Sequence, residues 1–202
     1  MAHGSFNSLF LETRPGRVMT PRRATEQLVR AALDRIGSDP VRVVDVGTGT
    51  GAIAVAIADA APNARVFATD TSRCAVALAR ANVRRHGLGE RVTVCHGDLL
   101  EPVPGEIDLV VANLPYLPAA DAERYPDLAC EPAAAVFAAG DGLEPYRRLL
   151  ASCAARLDDE AAVVIQLLRR VLEATGAELP ALSERLERPA WVTDFVPKLA
   201  AA

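Results

Sequence analysis

The feature that most constrains this chain is a short β-branched run, Val41–Val46, that breaks into glycines: Asp45-Val46-Gly47-Thr48-Gly49-Thr50-Gly51. A run this short and this apolar reads as a central parallel strand covered on both faces. An Ala/Ile/Val segment of helical length, Ala52–Ala60, follows directly. Glycines between a strand and a helix let the backbone turn tightly and admit a ligand with no Cβ in the way. In an open α/β sheet this carboxyl edge is where ligands bind.

The rest of the chain repeats the alternation. Arg65–Thr69 reads as a second strand, and Ser72 is placed to cap a helix from Arg73 to His86 that stops at Gly87. Arg91–Cys95 and Ile107–Ala112 read as third and fourth strands, Leu143–Leu157 as a helix, and Ala161–Leu168 as a fifth strand. Trp191, Phe195 and Val196 suit a late strand or an edge cover. The prediction is an α/β fold with a mainly parallel sheet. Its 202 residues divide into a lead-in segment, 1–38, and one domain, 39–202. Within the lead-in, residues 1–20 read as loop, and Thr20-Pro21 opens a helix to about Ile36.

Composition excludes several classes. Half the residues are apolar and 24% are charged, which argues against wholesale disorder. The longest apolar stretches are broken, Ala52–Ala61 by Asp59 and Ala161–Leu168 by Gln166, well short of the roughly 20 residues a membrane span needs. The first residues carry no basic start and apolar stretch of an export signal. Cys74, Cys95, Cys130 and Cys153 are widely spaced, so the expected setting is the cytoplasm, with free thiols. Cys95-His96-Gly97-Asp98 stands alone as a candidate metal cluster, so no metal is expected. Lys198 is the sole lysine, which removes a phosphate-binding P-loop. A formal charge of −4 weighs against coating nucleic acid, yet six arginines lie between Arg14 and Arg35, against Glu26 and Asp34. That cluster is either a solvated face or a landing surface for an acidic or RNA-bearing partner.

Gly47-x-Gly49-x-x-Ala52, with Asp70 further on, satisfies the loose dinucleotide fingerprint. The acids tilt the choice away from it. Asp45 immediately precedes the glycines, where a pyrophosphate gains nothing and a ligand with an ammonium or sulfonium is attracted. Asp70 and Asp98 end the second and third strands in the same way, suited to ribose hydroxyls and an exocyclic amine respectively. Three acids on one edge, with no basic residue in the turn, suit S-adenosylmethionine better than NAD.

The fourth strand ends in Asn113-Leu114-Pro115-Tyr116. With the upstream glycine turn, it resembles the class I S-adenosylmethionine-dependent methyltransferases that act on a planar nitrogen, which carry an Asn-Pro-Pro-Tyr type tetrapeptide here. More closely, the chain is similar to release-factor glutamine methyltransferases of the HemK/PrmC type. The blocks Val18–Glu26, Glu131-Pro132 and Gly140-Asp141-Gly142-Leu143-Glu144-Pro145-Tyr146-Arg147 recur in the same order. This resemblance implies a Rossmann-like, doubly wound α/β fold on a mainly parallel sheet of seven strands, or slightly abbreviated. It also implies methylation of a glutamine side chain in a protein, most naturally a translation release factor. The Asn113 side-chain oxygen and the Leu114 carbonyl would accept from the acceptor N–H groups, and Tyr116, after Pro115, would pack on the planar amide. Asp45, Gly47, Thr48, Gly49, Thr50, Gly51, Asp70, Asp98 and Leu99, with Asn113, would hold the cofactor.

Three departures bear on the substrate. Leu114 replaces a proline, the helical N-terminal domain of full-length members has no counterpart, and the end of the chain after Gly176 reads as abbreviated. Short archaeal and eukaryotic relatives work with a small partner subunit, which this chain would share. Alternatives are N6-adenine methylation of RNA or DNA, which the Arg-rich segment supports, and a catalytically silent binding module. The acidic loop Asp121–Glu131 reads as solvated surface or as a substrate cover.

Overall fold

The computed structural model describes residues 2–158, 160–168 and 190–195. Val196 and the segment just after Gly176 lie outside the described residues. The chain opens with a hairpin of β1 (Ala2–Phe6) and β2 (Leu9–Thr13), where a loop is expected from sequence. Asn7 and Ser8 make its two-residue turn with φ of 48° and 66°, the pattern whose twist matches antiparallel strands. The inward set of β2, Leu11 and Thr13, is interrupted in sequence by the consecutive apolar Leu9-Phe10-Leu11, which hides the period of two. The partner that holds β2 is remote: Asn82 Oδ1 accepts from Glu12 N at 2.8 Å, and Asn82 Nδ2 donates to Glu12 O at 3.0 Å.

The lead-in helix is shorter than its pattern suggests. Arg22 is extended, Arg23–Thr25 form a single 3-10 turn, and α1 spans Glu26–Leu33. The delay has a tertiary cause. Thr20 N donates to Glu131 Oε2 at 3.1 Å, and Arg22 faces the same carboxylate at 3.9 Å, so the segment is drawn out across the fold before it can coil.

The core is a parallel sheet of six strands among the described residues. They are β3 (Val41–Val46), β4 (Ala64–Asp70), β5 (Val92–His96), β6 (Leu109–Ala112), β9 (Ala162–Leu168) and β10 (Ala190–Phe195), in the order β10-β9-β6-β3-β4-β5. The numbers missing from that list are a two-residue parallel bridge, β7 (Leu117–Pro118) with β8 (Phe137–Ala138). Helices α2 (Ala52–Ala60) and α3 (Arg73–Arg85) connect the strands on one side; a short α4 (Ala133–Val136) and α5 (Glu144–Arg156) follow later. Ser72 Oγ accepts from Ala75 N and caps α3, as its position in the sequence suggests.

Side chains alternate across the strands and build two cores. Val43, Val111 and Val164 face α1 and α2, in one cluster with Phe6, Leu11 and Leu28 of the lead-in. Val44, Val110, Val163 and Ile165 face α5 with Tyr146, Leu149 and Cys153. The strand order reverses between β3 and β6, so a crevice opens at their carboxyl ends. Among the described residues no helix is long and apolar enough to cross a membrane.

Candidate active site

A cleft of about 1280 Å³ occupies that crevice. The glycine turn, the ends of β4 to β6, the lead-in from Arg17 to Thr25 and the loop around Arg124–Leu128 wall it. Of the residues singled out in the sequence, Gly47, Thr48, Gly49, Thr50, Asp70, Asp98, Leu99 and Asn113–Tyr116 line it. Asp45 and Gly51 do not; they lie behind the wall.

Asp45 has a different position from that of an anion facing a ligand. It is fully buried and accepts from Thr48 Oγ1 at 2.5 Å and from Ala54 N at 3.2 Å, while its Oδ1 has no partner among the described residues. Burial pushes its pKa from 3.8 up to about 7, against the lowering effect of those two hydrogen bonds. Its carboxylate thus takes the place at the start of α2 that a ligand phosphate would need.

The turn above it is likewise committed. Gly47 N and Thr48 N donate to Thr69 O at 2.9 and 3.0 Å, Gly49 N to Asp70 Oδ2 at 2.9 Å, and Gly51 N to Thr48 O at 2.8 Å. Amides spent in this way do not form a pyrophosphate cradle, so the dinucleotide reading loses its physical basis. Gly47, at φ 72°, is also closely overlaid: a Cβ there would meet Leu114 Cδ2 at 2.7 Å. The glycine turn and the Asn113–Tyr116 tetrapeptide therefore touch.

Asp70 and Asp98 reach the cleft from neighbouring strands. Asp70 Oδ1 accepts from Ser72 N at 2.8 Å, so this side chain ties the turn to the start of α3. Asp98 pairs with Arg148 of α5. Next to it Leu99 has φ 46°, a left-handed conformation that a non-glycine side chain disfavours and that clusters at functional sites.

The tetrapeptide is held by residues outside the expected set. Asn113 Nδ2 donates to Thr25 Oγ1 at 3.3 Å. Leu114 N donates at 2.9 Å to the hydroxyl of Tyr146, which itself donates to Gln166 O at 2.7 Å. Tyr146 is fully buried, and burial pushes its pKa well above the phenol range, so it stays a hydroxyl. Gly142, at φ 90°, lies so close to the Tyr116 carbonyl that any Cβ would collide with backbone. Asp141 accepts from Leu143 N at 3.1 Å and pairs with Arg147, which holds its carboxyl down at about 2.

Thr25, Glu131, Gly142 and Tyr146 thus act on the site through contacts far apart in sequence. Their one sequence signal is membership of the recurring blocks. Among the described residues no group of three or more His, Cys, Asp or Glu side chains converges as for a metal.

Comparison with known proteins agrees with this geometry. Residues 23–127 match the methyltransferase small domain. The release factor glutamine methyltransferase of Moorella thermoacetica is 41% identical over 160 residues, covering 77% of this chain and 56% of that protein. The ribosomal protein uL3 glutamine methyltransferase of Neisseria meningitidis serogroup A is 37% identical over 122 residues, covering 59% and 40% respectively. The chain thus spans about half the length of these curated relatives. The crystal structure of ribosomal protein L11 methylase from Lactobacillus delbrueckii subsp. bulgaricus superposes with a TM-score of 0.59 at 21% identity, over 83% of this chain and 70% of that one, a likeness of fold. The committed glycine turn, the doubly wound sheet and the match over residues 23–127 converge on one assignment: the chain belongs to the methyltransferase small-domain family, among the class I S-adenosylmethionine-dependent methyltransferases.

Proposed function

We propose that this chain methylates the side-chain amide nitrogen of a glutamine in a protein, with a translation release factor as the leading acceptor. The observation that carries the reading is the orientation of Asn113. Its Nδ2 is engaged by Thr25 Oγ1, which leaves Oδ1 to accept from an incoming N–H. Leu114 donates its N–H to the Tyr146 hydroxyl, which also reaches the Leu114 carbonyl at 3.3 Å; the second lone pair of that carbonyl would accept from the incoming amide. Relatives 41% and 37% identical are named for glutamine methylation of release factors and of ribosomal protein uL3.

An amide nitrogen is a weak nucleophile because its lone pair is delocalised into the carbonyl. Two acceptors aimed at its N–H bonds orient the nitrogen and stabilise the positive charge that grows on it. Tyr116 would pack on the amide plane and restrict its rotation. S-adenosylmethionine supplies an activated methyl group on a sulfonium. The protein's remaining task is in-line positioning, which supplies about 7–11 kcal/mol in well-oriented reactions. Asp70, the Gly47–Thr50 turn, Asp98 and Leu99 would hold the cofactor, with Asp45 bracing the turn from behind. Once methylated, the nitrogen sheds its proton readily, so no strong base is needed.

The test is mass spectrometry of release factor and uL3 acceptors incubated with the purified chain, alone and with any co-purifying small subunit. One added methyl group on a glutamine supports the reading. Asn113→Ala that binds cofactor normally and still transfers methyl overturns it, and Asp70→Ala is expected to lose cofactor binding by calorimetry. A second reading, N6-adenine methylation in nucleic acid, is favoured by Arg17, Arg22 and Arg23 lining the cleft. Nuclease treatment of the labelled acceptor separates the two, and absence of any transfer leaves the silent binding module.

A further inference from the structure

We propose that Gln166 is a polar contact for the acceptor, selecting a planar group that brings N–H donors. The inference rests on the acceptor reading above and extends it to a residue outside the glycine turn, the acids and the tetrapeptide. Gln166 interrupts an apolar strand, Ala-Val-Val-Ile-Gln-Leu-Leu, at a position only 4% exposed. It nevertheless lines the cleft, and its Oε1 has no hydrogen-bond partner among the described residues. A buried acceptor without a donor destabilises a fold, and native structures keep few of them. Leucine or valine at this position would pack with none of that loss, so the amide is a costly choice unless a ligand completes it.

The register says where that ligand lies. Ala112 of β6 is paired with Ile165 of β9, so Asn113 and Gln166 lie side by side at the carboxyl edge. Alternation puts both on the face shared by Val111 and Val164, beneath the lead-in that carries Thr25. The main chain of Gln166 already belongs to the acceptor apparatus, since its carbonyl accepts a hydrogen bond from the Tyr146 hydroxyl that holds Leu114. A carboxamide or an amino-substituted ring entering between Asn113 and Gln166 brings the donor that Oε1 lacks. A carboxylate brings none and is repelled by both oxygens.

Gln166→Leu tests this by separating stability from turnover. The expected result is a melting temperature equal to or above that of the unmodified chain and unchanged binding of S-adenosylhomocysteine. kcat/KM for the glutamine-bearing acceptor should fall by roughly tenfold or more, the scale of one lost hydrogen bond in a buried site. A Gln166→Leu chain that keeps kcat/KM within about twofold overturns the proposal, as does one that loses cofactor binding instead. If Gln166→Leu does not fold, Gln166→Met, which keeps the length of the side chain, is measured in its place. Failure of both to fold makes Gln166 a structural residue and overturns the proposal too. An unmodified chain with no methyl transfer to glutamine overturns the acceptor reading itself, which is distinct from an active chain indifferent to position 166.

Discussion

Tyr146→Phe removes one oxygen atom from a fully buried ring; it removes the longer, 3.3 Å contact to Leu114 O and takes the partner from two further main-chain groups. They are Leu114 N, which donates to the hydroxyl at 2.9 Å, and Gln166 O, which accepts from it at 2.7 Å. Each buried polar group left unpaired costs about 1–3 kcal/mol, so the pair is worth roughly 2–6 kcal/mol. For a chain of this size that is a fall in melting temperature of roughly 4–24 °C. The cause is isolated by repeating the change in a Leu114→Pro background, where there is no N–H at position 114 to orphan. There Tyr146→Phe should cost about half as much, a coupling of roughly 1–3 kcal/mol. Urea denaturation followed by circular dichroism on the four chains measures it. A loss below about 0.5 kcal/mol, the scale of a surface change, would refute the reasoning. So would an equal loss in both backgrounds.

Thr25→Val leaves Asn113 Nδ2 without its partner and frees the amide to turn its donor toward the acceptor. kcat should fall about tenfold, the equivalent of one hydrogen bond, with cofactor affinity intact and with Thr25→Ser restoring the rate; an unaltered kcat for Thr25→Val contradicts the role. Asp45 predicts a pH dependence of stability. Its pKa is 3.8 unfolded and about 7 folded, so the folded chain binds more protons between those values, and stability from this group falls as pH rises across them. The slope is at most about 1.4 kcal/mol per pH unit. Asp45→Asn, which still accepts from Thr48 Oγ1 and Ala54 N, should flatten that slope and be the more stable chain at pH 8, read from melting curves at pH 5 and pH 8. Parallel curves for the two chains would dismiss it.

The elements around the glycine turn were legible because their signals are local. Val41–Val46, Ala52–Ala60 and the helix capped by Ser72 each carry their own pattern, and the structure has them at those positions. The lead-in is not legible in the sequence, for the opposite reason. Its hairpin is completed by Asn82, 70 residues beyond Glu12, and its helix is delayed by Glu131, 111 residues beyond Thr20. No local pattern encodes a partner at that distance. Asp45 shows the same limit in chemistry: its place before the glycines was plain, but whether it faces the cleft or backs it depends on the packing of α2.

The sequence alone determined the architecture, the edge of the sheet that bears the site, and the residue types gathered there. Strand periodicity, turn glycines and the order of motifs are properties of neighbouring residues, and they survive without knowledge of what packs on them. Only the tertiary structure decided which polar atoms are already spent and which are left for a ligand. The turn amides are consumed by Thr69 and Asp70, Asn113 Nδ2 by Thr25, and Leu114 N by Tyr146, whereas Gln166 Oε1 is left unpaired among the described residues. Hydrogen-bond capacity is a sum over spatial neighbours, and those neighbours come together only when the chain has folded.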